Sequence, residues 1–262
     1  MTWTTRPRSK RDGLACIVEG SGRPIFMIHG VGLRAEAWAR QIDLFNTHHQ
    51  VIAVDMPGHG ESTAFENEAP QLSDYVGAIA PLVPNGAIVM GHSMGAMIAL
   101  EIAGAMGDRI AGVVAMNAIF RRTAQAALAV QARAASILPT KVPDPTAPQD
   151  RWFGSDPSPE RDACREWLLA VDPRAYRAAY HVFAHHDGPS NDTLARMTCP
   201  ALFITGADEP NSTPDMSRAM AARCRLGQSH IVQNAAHMMP MTHADDVWHV
   251  LRPFIAEVGA QT

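Results

Sequence analysis

The sequence predicts an α/β fold, a mostly parallel central sheet with helices on both faces. Three observations carry that expectation. Short apolar runs bounded by Gly, Pro, Asp or Asn recur at 14–19, 24–29, 51–55, 87–90, 110–116, 201–205 and 231–233. Runs this apolar suit strands covered on both faces, because a strand with one wet face alternates polar and apolar residues. Helical patterns lie between them, at 35–45, 95–106 and 245–258 among others, and strand alternating with helix is the pattern of parallel strands joined by crossovers. Finally, 262 residues, 47% hydrophobic and 18% charged, can bury the core of one large domain.

The rhythm breaks between 119 and 196. Helical stretches at 121–137, 160–170 and 174–185 alternate with Pro139, Pro143, Pro145, Pro148, Pro157 and Pro159. Proline has no N–H and clashes with the preceding helical turn, so at this density it marks connections between helices. The segment 119–196 therefore reads as a helical cap, or lid, inserted after the sixth strand, and 1–118 with 197–262 as the core domain.

Composition narrows the partners. A formal charge of -4 offers no basic excess to draw the chain onto nucleic acid or an anionic membrane, so a small-molecule substrate is expected. Cys16, Cys164, Cys199 and Cys224 are scattered, with no C-x-x-C pair, and read as reduced thiols. The basic first 13 residues lack the apolar stretch of a secretory signal, and no run of about 18 apolar residues occurs, which predicts a cytoplasmic protein.

The chemistry concentrates at Gly91-His92-Ser93-Met94-Gly95, between an apolar run and a helical pattern. A serine on so sharp a strand-to-helix turn takes strained backbone angles, and glycines two residues to either side leave room for neighbouring backbone. The turn lifts the Ser93 hydroxyl above the sheet edge. Serine is a weak nucleophile near its free pKa, so it needs a base and a group to orient that base. The run at 201–205 leads into Asp208 and Glu209, and the run at 231–233 leads into His237, all at carboxyl ends of strands. The order serine, acid, histidine is that of one serine-hydrolase fold.

With these residues in view, the chain resembles the capped α/β-hydrolases, a group that includes esterases, enol-lactonases and carbon–carbon bond hydrolases. The resemblance runs from about Leu14 to Val258 outside the cap, and also rests on His29-Gly30-Val31-Gly32, on Asp55-Met56-Pro57-Gly58-His59-Gly60-Glu61-Ser62, and on the segment around His237 with its following helix. It implies that the backbone N–H groups of Val31 and Met94 form an oxyanion hole. By position it favours Glu209 as the acid, with Asp208 as the alternative. It also implies a serine hydrolase that cleaves an ester, lactone or related acyl bond through an acyl-enzyme on Ser93, without metal or organic cofactor. Alternatives within the fold are a carbon–carbon bond hydrolase, an acyltransferase or perhydrolase, and a ligand-binding protein without turnover.

Other residues invite functional readings that weigh differently. His29 and His92 are expected to shape the site rather than transfer protons. His185, His186 and Asp187 are adjacent, so they point apart and read as solvated surface rather than a metal site. Met238, Met239 and Met241 fit a pocket lining or the core equally well. In the cap, Trp152, Phe153, Trp167, Tyr176, Tyr180 and Phe183 are candidates to roof the site, and Arg121, Arg122, Arg174 and Arg177 to bind a substrate carboxylate.

Overall fold

In the computed structural model, which describes residues 3–142 and 144–260, the strands are β1 (Ser9–Arg11), β2 (Leu14–Glu19), β3 (Arg23–Ile28), β4 (His49–Val54), β5 (Ala87–His92), β6 (Ile110–Met116), β7 (Ala201–Gly206) and β8 (Gly227–Val232). They form one sheet in the order β1-β2-β4-β3-β5-β6-β7-β8. β2 pairs antiparallel with β1 and β4, and every later pairing is parallel. The helices are α1 (Ala39–Phe45), α2 (Leu72–Ile79), α3 (Met94–Met106), α4 (Ala124–Ser136), α5 (Thr146–Phe153), α6 (Pro159–Ala170), α7 (Pro173–His185), α8 (Asn191–Arg196), α9 (Pro214–Ala221), α10 (Met239–Thr242) and α11 (Ala244–Ala260).

The unbroken apolar runs are explained by cover on both faces. In β3, Phe26 and Ile28 join a core with Tyr75 of α2 and Met97 of α3, while Ile25 and Met27 point the other way, toward Ile42 of α1 and Leu251 of α11. Strand side chains alternate, so each strand feeds two cores. α4 to α7 lie between β6 and β7 in the chain and make the helical cap. The cap seats on the loops after β3 and β4. A Cβ at Gly32 would strike Leu168 and Tyr176, and one at Gly58 would strike Ala175.

Two strand limits differ from expectation. β1 is Ser-Lys-Arg, fully exposed at the sheet margin, and β8 begins at Gly227 rather than 231. Both are edge strands, whose solvent-facing residues carry no apolar signal. α5 also arises within the proline-rich stretch. Its Pro148 is the third residue, in the first turn, where a missing N–H breaks no intrahelical bond.

Beside the sheet, Arg8 is almost wholly buried between Glu36 and Asp55, at 2.5 Å and 2.9 Å. Asp55 also accepts hydrogen bonds from the Ala35 and Glu61 amides. The aspartate of the Asp55–Ser62 motif thus anchors a loop and the N-terminal segment. Among the described residues no helix is long and apolar enough to cross a membrane, and Cys16, Cys164, Cys199 and Cys224 are unpaired.

Candidate active site

Ser93 sits between β5 and α3 with φ 56° and ψ -120°. For a residue with a Cβ this backbone costs about 1–3 kcal/mol and persists only where its surroundings enforce it. The Ser93 amide donates to the Met116 carbonyl at 2.9 Å. The flanking glycines are explained by close approach. A Cβ at Gly91 would collide with the Gly95 carbonyl, and one at Gly95 with the carbonyls of Ile28 and His29.

His237 follows β8, and its Nδ1 lies 2.9 Å from Oε2 of Glu209. Glu209 is 3% exposed, whereas Asp208 points to solvent and makes no hydrogen bond to His237. The loop after β7 is shaped to hold this carboxylate. Its Oε1 accepts from the amides of Asn211 at 2.7 Å and Ser212 at 3.2 Å. Burial alone would raise the Glu209 carboxyl, but His237 and these two amides outweigh it and hold the group at about 2. The Asp208 amide donates to the Ala235 carbonyl at 2.9 Å, which ties the acid loop to the histidine loop. Gly206 permits that approach, since a Cβ there would strike the same carbonyl.

Sequence reasoning missed Asn117, which follows β6 with φ 52° and donates from Nδ2 to Glu209 Oε2 at 3.4 Å. Its only signal was its place at the carboxyl end of a strand, a place read there for carboxylates alone.

His29 and His92 both act through backbone carbonyls. The Met56 amide donates to His29 Nε2 at 2.9 Å, which places the His29 proton on Nδ1, and Nδ1–H donates to the Gly30 carbonyl at 2.8 Å. Carbonyl and N–H point opposite ways across a peptide, so this bond also directs the Val31 N–H. His92 donates from Nε2 to the His237 carbonyl at 2.8 Å. Burial, with His59 beside His29 and His237 beside His92, pushes both imidazoles down to about 3. The amides of Val31 and Met94 find no acceptor among the described residues.

A stability prediction follows from these histidines. Each is neutral when folded until about pH 3 but charges near 6.5 when unfolded. Between those values the unfolded state binds more protons, so stability falls as pH falls, by about 2 kcal/mol per histidine from pH 6.5 to 5. Urea unfolding at pH 7.5 and 5 measures the loss. His92→Gln, which removes one titration, is expected to make the decline shallower.

Above Ser93 and His237 lies a cavity of about 340 Å³ roofed by the cap. Trp152, Tyr176, Tyr180 and Phe183 line it, whereas Trp167 and Phe153 do not and pack with Leu33, Met238 and Met241 in a cluster that Trp152 also touches. Met239 belongs to the core under α11. Of the four arginines expected to face substrate, only Arg122 reaches the cavity, and it pairs with Asp187 at 2.9 Å. Arg121 bonds Asn191 on the surface, Arg174 is exposed, and Arg177 donates to the Ile137 carbonyl. Arg133 of α4 and Arg151 of α5 line the cavity instead. Helix rotation decides which residues face inward, and a sequence with arginine on several faces does not disclose it. Among the described residues no group of three or more His, Cys, Asp or Glu could hold a metal ion.

Comparison with known proteins agrees with this architecture. Over 243 residues, 90% of this chain and 92% of the relative, the sequence is 35% identical to (E)-2-((N-methylformamido)methylene)succinate hydrolase of Acinetobacter baylyi. The fold is similar to that of a thermophilic esterase from Thermogutta terrifontis, with TM-score 0.83 and 24% identity, covering 97% of this chain and 99% of that one. It is also similar to the enol-lactonase from Burkholderia xenovorans LB400, with TM-score 0.80 and 21% identity, covering 95% and 100%. The sequence profile of the alpha/beta hydrolase family matches residues 25–250. The parallel sheet, the glycine-flanked serine turn and that match, which spans most of the chain, converge on one conclusion: this protein belongs to the alpha/beta hydrolase family.

Proposed function

We propose that the protein is a serine hydrolase that cleaves an acyl bond of a small, carboxylate-bearing molecule, with 119–196 as the cap over a core of 1–118 and 197–262. The observation that carries this reading is the Glu209–His237 hydrogen bond of 2.9 Å beside a cavity that both Ser93 and His237 line. His237 Nε2 takes the Ser93 proton while Nδ1–H donates to Glu209, and Oγ attacks the substrate carbonyl. The Val31 and Met94 amides receive the oxyanion. His237 then protonates the leaving group, water deprotonated by His237 attacks the acyl-enzyme, and the free acid departs. No step needs a metal or an organic cofactor.

Support for the acidic substrate comes from the lining of the cavity, which holds Arg122, Arg133 and Arg151 and no aspartate or glutamate. Arg122 is neutralised by Asp187, while Arg133, stacked over Tyr180 at 5.4 Å, and Arg151 have no carboxylate partner among the described residues. Two guanidiniums without a carboxylate partner fit a substrate carboxylate. The substrate named for the Acinetobacter relative is a succinate derivative, which carries two.

The test of function needs no substrate. Intact mass after treatment with a small fluorophosphonate is expected to show one adduct on the wild type and none on Ser93→Ala. No adduct on the wild type would overturn the reading. With an ester panel, Arg133→Ala is expected to lower kcat/KM for acidic esters about 10- to 100-fold, the worth of a charge-assisted contact, and for neutral esters less than about threefold.

A further inference from the structure

Trp152 belongs to the cap, yet its ring lies on the candidate base. The Trp152 and His237 ring centroids are 5.7 Å apart with the planes inclined by 19°, a stacked arrangement. The indole is held there by the rest of the cap. Gln149, one turn earlier in α5, donates to the Arg161 carbonyl at 2.6 Å, and Arg161 reaches back to Asp150 at 2.6 Å and to the Gly154 carbonyl. These bonds fasten α5 to α6, and α6 rests on the core where Leu168 meets Gly32.

An indole face is electron-rich and attracts a cation centred within about 6 Å, a limit that 5.7 Å satisfies. A neutral imidazole gains little from such a face, and an imidazolium gains more. The surroundings of His237 make that gain useful. Glu209 meets its Nδ1, His92 lies 4.9 Å away at a tilt and donates to its carbonyl, and Arg122, Arg133 and Arg151 share its cavity. His92 is neutral and the arginines oppose a further positive charge, so Glu209 and Trp152 are the groups that favour the imidazolium. An interaction stronger after proton transfer than before it lowers the barrier rather than merely tightening binding.

We infer that Trp152 is a positioning residue for His237, holding its ring and stabilising its protonated form, so that the base is complete only when α5 is docked on the core. This rests on the reading of His237 as general base. It gives the cap a part in the chemical step besides enclosing substrate.

The test separates the π face from simple bulk. Trp152→Leu keeps an apolar side chain without a face, and Trp152→Phe keeps a face. Trp152→Leu is expected to lower kcat about five- to thirtyfold. It is also expected to move the acid limb of the kcat/KM profile about 0.7 to 1.5 units toward lower pH, because the charged base has lost a partner worth the same factor. A general disturbance of the fold would lower the rate without that displacement. Trp152→Phe is expected to stay within about threefold of wild type. A Trp152→Leu variant with wild-type kcat and acid limb, or a Trp152→Phe variant as slow as Trp152→Leu, would overturn the inference.

A second readout does not depend on turnover. A protonated imidazole stacked on indole quenches its fluorescence, so emission is expected to titrate in the wild type and lose that step in Trp152→Phe and in His237→Gln. A wild-type emission with no step that both substitutions remove would overturn the stacking. The fluorophosphonate adduct on Ser93 is measured separately, so failure of the hydrolase reading is distinguishable from failure of this one.

Discussion

Ser93→Ala is expected to reduce kcat about a thousandfold to a millionfold with KM and fold retained. The substitution removes one oxygen and keeps the Cβ, so the strained turn at φ 56° is still imposed by the Met116 carbonyl and by the packing of Gly91 and Gly95. The amides of Val31 and Met94 remain to polarise a bound carbonyl, which is why a residual rate above the uncatalysed one is expected. Steady-state kinetics on an activated ester checks the loss, and urea unfolding checks that stability moves by less than about 1 kcal/mol. A variant that keeps a tenth of wild-type kcat would move the nucleophile elsewhere.

Glu209→Gln is expected to cost about a thousandfold to ten-thousandfold in kcat, while Asp208→Asn stays within about threefold. The difference lies in hydrogen-bond accounting. Oε1 of Glu209 accepts from two backbone amides, Asn211 and Ser212, and Oε2 faces His237 Nδ1. In glutamine the single carbonyl oxygen is claimed by the two amides, which turns the NH2 toward Nδ1. That ring nitrogen must then accept, the imidazole proton moves to Nε2, and the base presents a proton to Ser93 instead of a lone pair. The Asp208 side chain points to solvent and makes no hydrogen bond to Glu209 or His237; its backbone tie to Ala235 is kept in the asparagine. Equal losses for the two variants would show that the loop, and not the carboxylate, is what matters.

The charge of the acid also bears on stability. Glu209 is held at about 2 when folded, so its contribution is present above the unfolded carboxylate value and is lost as pH falls from about 4.5 toward 2. The histidines His29 and His92 begin to act against the fold at higher pH, so acid unfolding is expected to start with them and finish with Glu209.

By itself the sequence determined the fold class, the place of the inner strands along the chain, the cap after the sixth strand and the residues placed at strand ends. These follow from local demands. A strand covered on both faces must be apolar at every position, a serine at positive φ needs glycines where backbone crowds it, and dense proline interrupts helices. Each demand is written within about ten residues. The edges were less legible, because β1 and the first residues of β8 face water and are polar like any loop.

Only the tertiary structure decided which of two neighbouring carboxylates meets His237, since the turn of the loop at Asn211 and Ser212 buries Glu209 and leaves Asp208 outside. Only it brought in Asn117, replaced Arg121, Arg174 and Arg177 with Arg133 and Arg151 at the cavity, and laid Trp152 over the imidazole. The reason is common to all of them. A cap helix presents whichever side its packing against the core turns inward, and a long polar or aromatic side chain reaches a partner only after segments far apart in the chain have met. Those meetings are settled by the sum of many distant contacts, of which no short stretch of sequence carries a record.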